Sequence, residues 1–95
     1  MPAYVLASVT IKEPVRYEDY RRMVTPTLAA YGGRFIVRGG AVDLLEGDWR
    51  PGRLVIIEFP SAERARAWYN SPEYTEARLI RQATSEGTLL ILEGV

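Results

Sequence analysis

From Ala3 to Ile11 the chain alternates with period two: Val5, Ala7, Val9 and Ile11 make an apolar face, and Tyr4, Ser8 and Thr10 lie opposite with Leu6. That period predicts a strand with two chemically different faces. Lys12-Glu13-Pro14 breaks it, and Pro14 sits where the entry to a helix tolerates proline. Between Val15 and Tyr31 the apolar residues Tyr17, Tyr20, Val24, Leu28 and Tyr31 recur at spacings of three and four, the stripe of an amphipathic helix. Pro26 is expected to bend it, and Gly32-Gly33 to end it with a left-handed cap.

The stretch from Gly32 to Pro60 reads as one long β-hairpin. Phe35 and Val37 alternate with Arg34, Ile36 and Arg38, and Gly39-Gly40 marks a bulge or kink. Ala41 to Glu46 is expected to resume the strand, Gly47 to Gly52 to form the turn, and Arg53 to Phe59 to return as a central strand. A helix then opens at Ser61, a good N-cap followed by Glu63 near the positive end of the helix dipole. Asn70-Ser71-Pro72 restarts it, with Ser71 as cap and Pro72 as first residue, and the second piece runs to about Ser85 with Tyr74, Ala77, Ile80 and Arg81 on its stripe. Thr88 to Glu93, with LLIL at its centre, is the last strand. The order is βαββαβ: an α+β, ferredoxin-like plan with two helical regions on one face of a four-stranded antiparallel sheet. Residues 1–95 are expected to form a single domain, small enough that association would help to cover the free sheet face.

Composition narrows the chemistry more than any motif does. With no Cys and no His, a thiolate nucleophile, a Ser-His-Asp triad and most zinc or haem sites are unavailable within one chain. Twelve basic and twelve acidic residues cancel and are interspersed, which disfavours nucleic acid as a partner. RNA binding through the sheet also needs exposed aromatic residues on the central strands, and only Tyr4 qualifies. No apolar run approaches the roughly 20 residues of a spanning helix, and the N-terminus lacks the basic start of a signal peptide. The expected location is cytoplasmic, with no membrane association.

Four segments, AAYGGRFIVRGG, the EGDW turn, VIIEFPS and AWYNSPEY, carry a resemblance that covers most of the chain. By them the chain resembles the family known as domain of unknown function 1330, a branch of the dimeric α/β-barrel, ferredoxin-like group. The resemblance implies a protomer whose sheet packs against that of a second copy, with a cavity in or beside the barrel so formed. It implies no particular reaction. Related branches include cofactor-free monooxygenases, muconolactone-isomerase-like enzymes and haem-degrading enzymes, the last of which depend on a histidine absent here.

The alternation itself suggests where to look for function. If the helices cover Val5, Val9, Phe35, Val37, Val55, Ile57 and Phe59, the other face presents Tyr4, Ser8, Thr10, Arg34, Arg38 and Glu58 among Leu6, Ile36, Leu54 and Ile56. A glutamate on a central strand is costly to bury unless paired, and Arg38 or Arg34 is its natural partner. The candidate catalytic residue is therefore Glu58, as a base, with Arg34, Arg38, Trp68 and Tyr69 as substrate-binding residues; a purely structural Glu58–Arg pair is the competing reading. Trp68, Tyr69 and Tyr74 also fit a packed core, and Trp49 an interface or lid anchor. The expected activity is that of a homodimer binding a small aromatic or carboxylate-bearing compound, with cofactor-independent proton transfer or oxygenation if it is an enzyme, no metal and no cofactor. The alternative is a non-catalytic dimerisation or ligand-sensing module.

Overall fold

The structure, a computed structural model, describes all 95 residues. Strand β1 (Ala3–Ile11) leads into helix α1 (Pro14–Leu28), which tightens into a 3-10 turn over Ala29–Tyr31. Gly32 follows at φ 73°, the left-handed cap that glycine adopts without a Cβ penalty. Strands β2 (Arg34–Arg38) and β3 (Arg53–Phe59), helices α2 (Ala62–Tyr69) and α3 (Pro72–Thr84), and strand β4 (Ser85–Glu93) complete the chain. The sheet is antiparallel with order β2-β3-β1-β4, so the strand framework is the expected ferredoxin-like one. The molecule measures 36 × 36 × 16 Å, one sheet layer and one helix layer deep.

The helix starts form where the side chains cap them. Ser61 Oγ accepts from the Arg64 N–H, and Ser71 Oγ accepts from the Tyr74 N–H while donating to the Trp68 carbonyl. Each serine satisfies a backbone donor that the first helical turn leaves without a partner. Between helices and sheet lies a core of Val5, Val9, Val55, Ile57 and Phe59 from the strands against Tyr17, Val24, Leu28, Trp68 and Tyr74 from the helices. Trp68 and Tyr74 stack at 4.0 Å between ring centroids, and Phe59 tilts against Trp68 at 5.4 Å.

Two expectations for the hairpin are corrected. The strand does not resume at Ala41: residues 39–52 carry no strand, and Val42, Leu45 and Trp49 project into solvent. β3 begins only at Arg53, so the alternation of Ala41 to Glu46 has no partner backbone to pair with. The second correction concerns register. The irregularity expected at Gly39-Gly40 lies earlier, between Phe35 and Val37, where Ile36 is the extra residue. Arg34 stands opposite Glu58 and Phe35 opposite Ile57, but Val37 then meets Ile56 and Arg38 meets Val55. A one-residue slip moves side chains to the other face. Val37 therefore joins the open face, and Arg38 turns to the helix side, where it stays exposed. β4 also starts three residues before the expected Thr88, because β1 extends to Ile11 and pairs there with Ser85.

Candidate functional site

The register divides the residues singled out from sequence among three places. Arg34 and Glu58 are together on the open face: Arg34 Nε donates to Glu58 Oε1 at 2.8 Å, and its Nη2 lies 2.7 Å from the same oxygen. The Glu58 side chain is 27% exposed and that of Arg34 72%, so the pair sits at the surface of the isolated protomer. Arg38 is not Glu58's partner. It stacks on the Phe35 ring at 4.2 Å and makes one long bond, 3.4 Å, to the Arg21 carbonyl on the helix side. Trp68 is fully buried, and its Nε1–H donates to Thr27 Oγ1 at 2.9 Å. Tyr69 stands apart again, beside the β4 edge, with Arg78 over its ring at 5.0 Å.

Arg38 and Trp68 line the same cleft, between α1 and the helix-covered face of the sheet. Its floor is Val5, Ala7, Val9, Val55 and Ile57, the apolar face of the two central strands. Around it stand four arginines, Arg21, Arg38, Arg53 and Arg81, and two phenols, Tyr17 and Tyr20. No carboxylate or amide side chain is among the lining residues. Arg21 is shared with Glu18 at 3.4 Å, and its buried Nε has no partner; Arg38, Arg53 and Arg81 have no carboxylate within ion-pair distance. The free volume is about 20 Å³, enough for one water molecule or one ligand oxygen. Two open grooves run along β4, one past Arg66 and Tyr69 and one past Arg81 and Gln82, and Leu89 borders both grooves and the cleft.

The cleft's polar wall is braced from behind. Tyr20 Oη lies 2.9 Å from Tyr74 Oη, and Arg81 Nε donates to Tyr74 Oη at 3.2 Å. Burial raises the Tyr20 phenol well above its ordinary range, reinforced by Tyr74. Burial also raises Tyr17, against the opposing pull of Arg53, Arg21 and Arg81. Both phenols stay protonated at neutral pH. For Arg81, burial alone would lower the pKa, but Tyr74 and Tyr20 outweigh it and the group ends above its usual value. No three His, Cys, Asp or Glu side chains converge in the protomer.

Sequence reading missed this cleft because it assigned Arg38 to the wrong face and treated Tyr17 and Tyr20 as packing. One signal was present: Arg81 interrupts the apolar stripe Tyr74, Ala77, Ile80 on α3, and it is 8% exposed. A cation on a helix's buried face needs a polar environment, here supplied by Tyr74 and the cleft.

Comparison with known proteins fits this architecture. No curated protein matches the chain. Among solved structures, the RPA0582 protein of unknown function from Rhodopseudomonas palustris is similar at 24% identity and a TM-score of 0.79, over 99% of this chain and 82% of that one. SnoaB, a cofactor-independent oxygenase from Streptomyces nogalater, is similar in fold at 14% identity and a TM-score of 0.67, over 99% of this chain and 93% of that one. Rv0793 from Mycobacterium tuberculosis aligns at 20% identity and a TM-score of 0.60, over 100% of this chain and 96% of that one. These likenesses establish the ferredoxin-like fold and nothing beyond it. The profile described as "Domain of unknown function (DUF1330)" matches residues 2–95, and the chain belongs to that family.

Proposed function

We propose that the protein is a homodimer that binds a small, partly apolar compound bearing a carboxylate or another oxygen acceptor, in the cleft between α1 and the sheet. The observation that carries this reading is the composition of the wall: four guanidinium groups and two phenols over an apolar floor, with a carboxylate partner for Arg21 alone. Guanidinium groups recognise carboxylates bidentately, and a cluster of one sign around an apolar floor favours a ligand of the other; Arg81 is buried there, Arg21 and Arg53 half-buried. Arg38 is held only by a stacked ring and one long hydrogen bond, so it can swing outward to admit a ring. The same wall suits chemistry in which negative charge develops on a substrate oxygen, as in cofactor-independent proton transfer or oxygenation. The likeness to SnoaB supports that extension through the fold alone.

The dimer belongs to the opposite face. Leu90 and Leu92 are 40% and 47% exposed there, beside Leu6, Leu54 and Ile56, and Val37 joins them through the bulge. An apolar patch of this kind is ordinarily covered by a partner. In the dimer, Arg34 and Glu58 act as an ion pair that specifies the contact, and Glu58 lies across the sheet from the cleft. Glu58→Gln is then expected to leave ligand binding in the cleft unchanged.

Calorimetry with para-nitrobenzoate and its neutral isostere para-nitrobenzamide tests the binding reading. The carboxylate should bind about tenfold or more tightly than the amide, a margin set by charge-assisted hydrogen bonds, and Arg53→Met should remove the difference. Equal affinities, or a folded Arg53→Met protein that still prefers the carboxylate, would refute it. A protein that binds neither compound yet sediments as a dimer would be a dimerisation module.

A further inference from the structure

We propose that Tyr20 is a preorganised hydrogen-bond donor whose hydroxyl hydrogen points into the cleft, and that Tyr74 and Arg81 are positioning residues that fix its direction. The ligand class follows: a compound presenting a carbonyl or phenolate-type oxygen to Tyr20. This deepens the reading above and rests on it.

The direction follows from counting protons in the Arg81–Tyr74–Tyr20 chain. Arg81 Nε has only a hydrogen to offer, so Tyr74 Oη must accept at 3.2 Å. The Tyr74 hydroxyl still has its own hydrogen to place. Tyr74 is completely buried, and Tyr20 Oη at 2.9 Å is the one other hydrogen-bond partner of its hydroxyl. Were Tyr20 the donor of that bond, Tyr74 would accept twice and strand its hydrogen inside the core, an unfavourable arrangement for a buried donor. Tyr74 therefore donates to Tyr20. Tyr20 is left with a hydrogen that the protein does not use, and it borders the cleft where Tyr74 does not.

Among the side chains that line the cleft, the Tyr17 phenol oxygen is the one possible acceptor for that hydrogen. Its remaining polar side chains are the four arginines, which cannot accept, and Trp68, whose N–H is committed to Thr27. A donor-lined cavity with room for one oxygen is thus matched to a ligand oxygen that accepts from Tyr20. The phenol's protonated state, held by burial, keeps it a donor throughout the neutral range.

The coloured probe para-nitrophenol reads this directly, because its ionised and neutral forms absorb differently. Bound to the wild-type protein it should ionise at a lower pH than in free solution. In Tyr20→Phe, with all four arginines retained, the ionisation midpoint of the bound probe should rise by about one pH unit or more, the equivalent of a tenfold or greater loss in preference for the phenolate. Tyr74→Phe should raise it by a smaller amount, since Tyr20 keeps its hydroxyl but loses its orientation; a residue that only stabilised the fold would leave the midpoint unmoved. Tyr20→Phe/Tyr74→Phe strands no hydroxyl and gives the same readout if Tyr20→Phe fails to fold. The proposal is overturned if the midpoint is the same in wild type and in the variants, or if the neutral phenol is the form preferred by the wild type. Should para-nitrobenzoate bind through Arg53 while the para-nitrophenol midpoint ignores Tyr20, the donor role falls and the binding reading stands. If neither probe binds the wild type, both fall.

Discussion

Replacing Thr27 by valine should destabilise the protein far more than its size suggests. Thr27 Oγ1 accepts from Trp68 Nε1 at 2.9 Å and donates to the Val24 carbonyl at 2.6 Å, so it joins α1 to α2 across the core. Valine keeps the shape and removes the acceptor. Trp68 is fully buried and its N–H has no other partner, so the variant leaves a donor stranded in the core, costing about 1–3 kcal/mol. In a chain of 95 residues that corresponds to a fall of roughly 5–20 °C in Tm. Urea denaturation of a double-mutant cycle separates the hydrogen bond from packing. Trp68→Phe will itself be costly, because it shrinks the ring stacked on Tyr74 and Phe59. Adding Thr27→Val to Trp68→Phe strands nothing and should cost less than about 0.5 kcal/mol, giving a coupling of about 1 kcal/mol or more. Thr27→Val costs that agree in the two backgrounds would refute the reasoning. The bond matters to function because α1 forms one wall of the cleft.

Other consequences of the structure are as direct. A Cβ at Gly87 would meet the Ser8 carbonyl oxygen across the β1–β4 ladder, whereas one at Gly40 would meet open space. Gly87→Ala should therefore cost about 1–3 kcal/mol and Gly40→Ala stay within about 0.5 kcal/mol, as read by thermal unfolding. Alkaline pH should unfold the protein through Tyr17 and Tyr20. Their folded pKa values lie above the ordinary 10.0, so the folded state holds protons that the unfolded chain releases. The resulting stability is fully present below about pH 10 and is lost as pH rises from there through the folded values. Near-ultraviolet absorbance and circular dichroism followed together should show these two phenols ionising only as the fold is lost; reversible ionisation with the fold intact would contradict it. On the open face, Leu92→Glu should make the proposed dimer sediment as a monomer, since it places a charge in the apolar patch.

Most of the fold was legible because its signals are local. Alternation defines β1 and β3, and Ser61, Ser71 and Pro72 mark the helix starts where the serines make their capping bonds. The site was less legible because it depends on register. Phe35, Ile36 and Val37 are all apolar, so their pattern does not reveal which of them is the extra residue, yet that choice decides whether Arg38 meets Glu58 or the helices. The alternation of Ala41 to Glu46 misled for a related reason: a strand needs a partner backbone, and Pro51-Gly52 comes before β3 begins at Arg53. Tyr20 and Tyr74 are 54 positions apart, and no local pattern brings their hydroxyls together.

A ligand is expected on the helix side of the sheet, at Arg38 and Tyr20, and not on the face that carries Glu58. Backbone amide shifts recorded by NMR during titration with para-nitrobenzoate test it. The resonances of Tyr17, Tyr20, Arg38, Arg53 and Leu89 should move together and saturate while those of Arg34, Glu58 and Leu92 stay in place. Saturable shifts centred on Arg34 and Glu58, with the cleft residues unmoved, would contradict it.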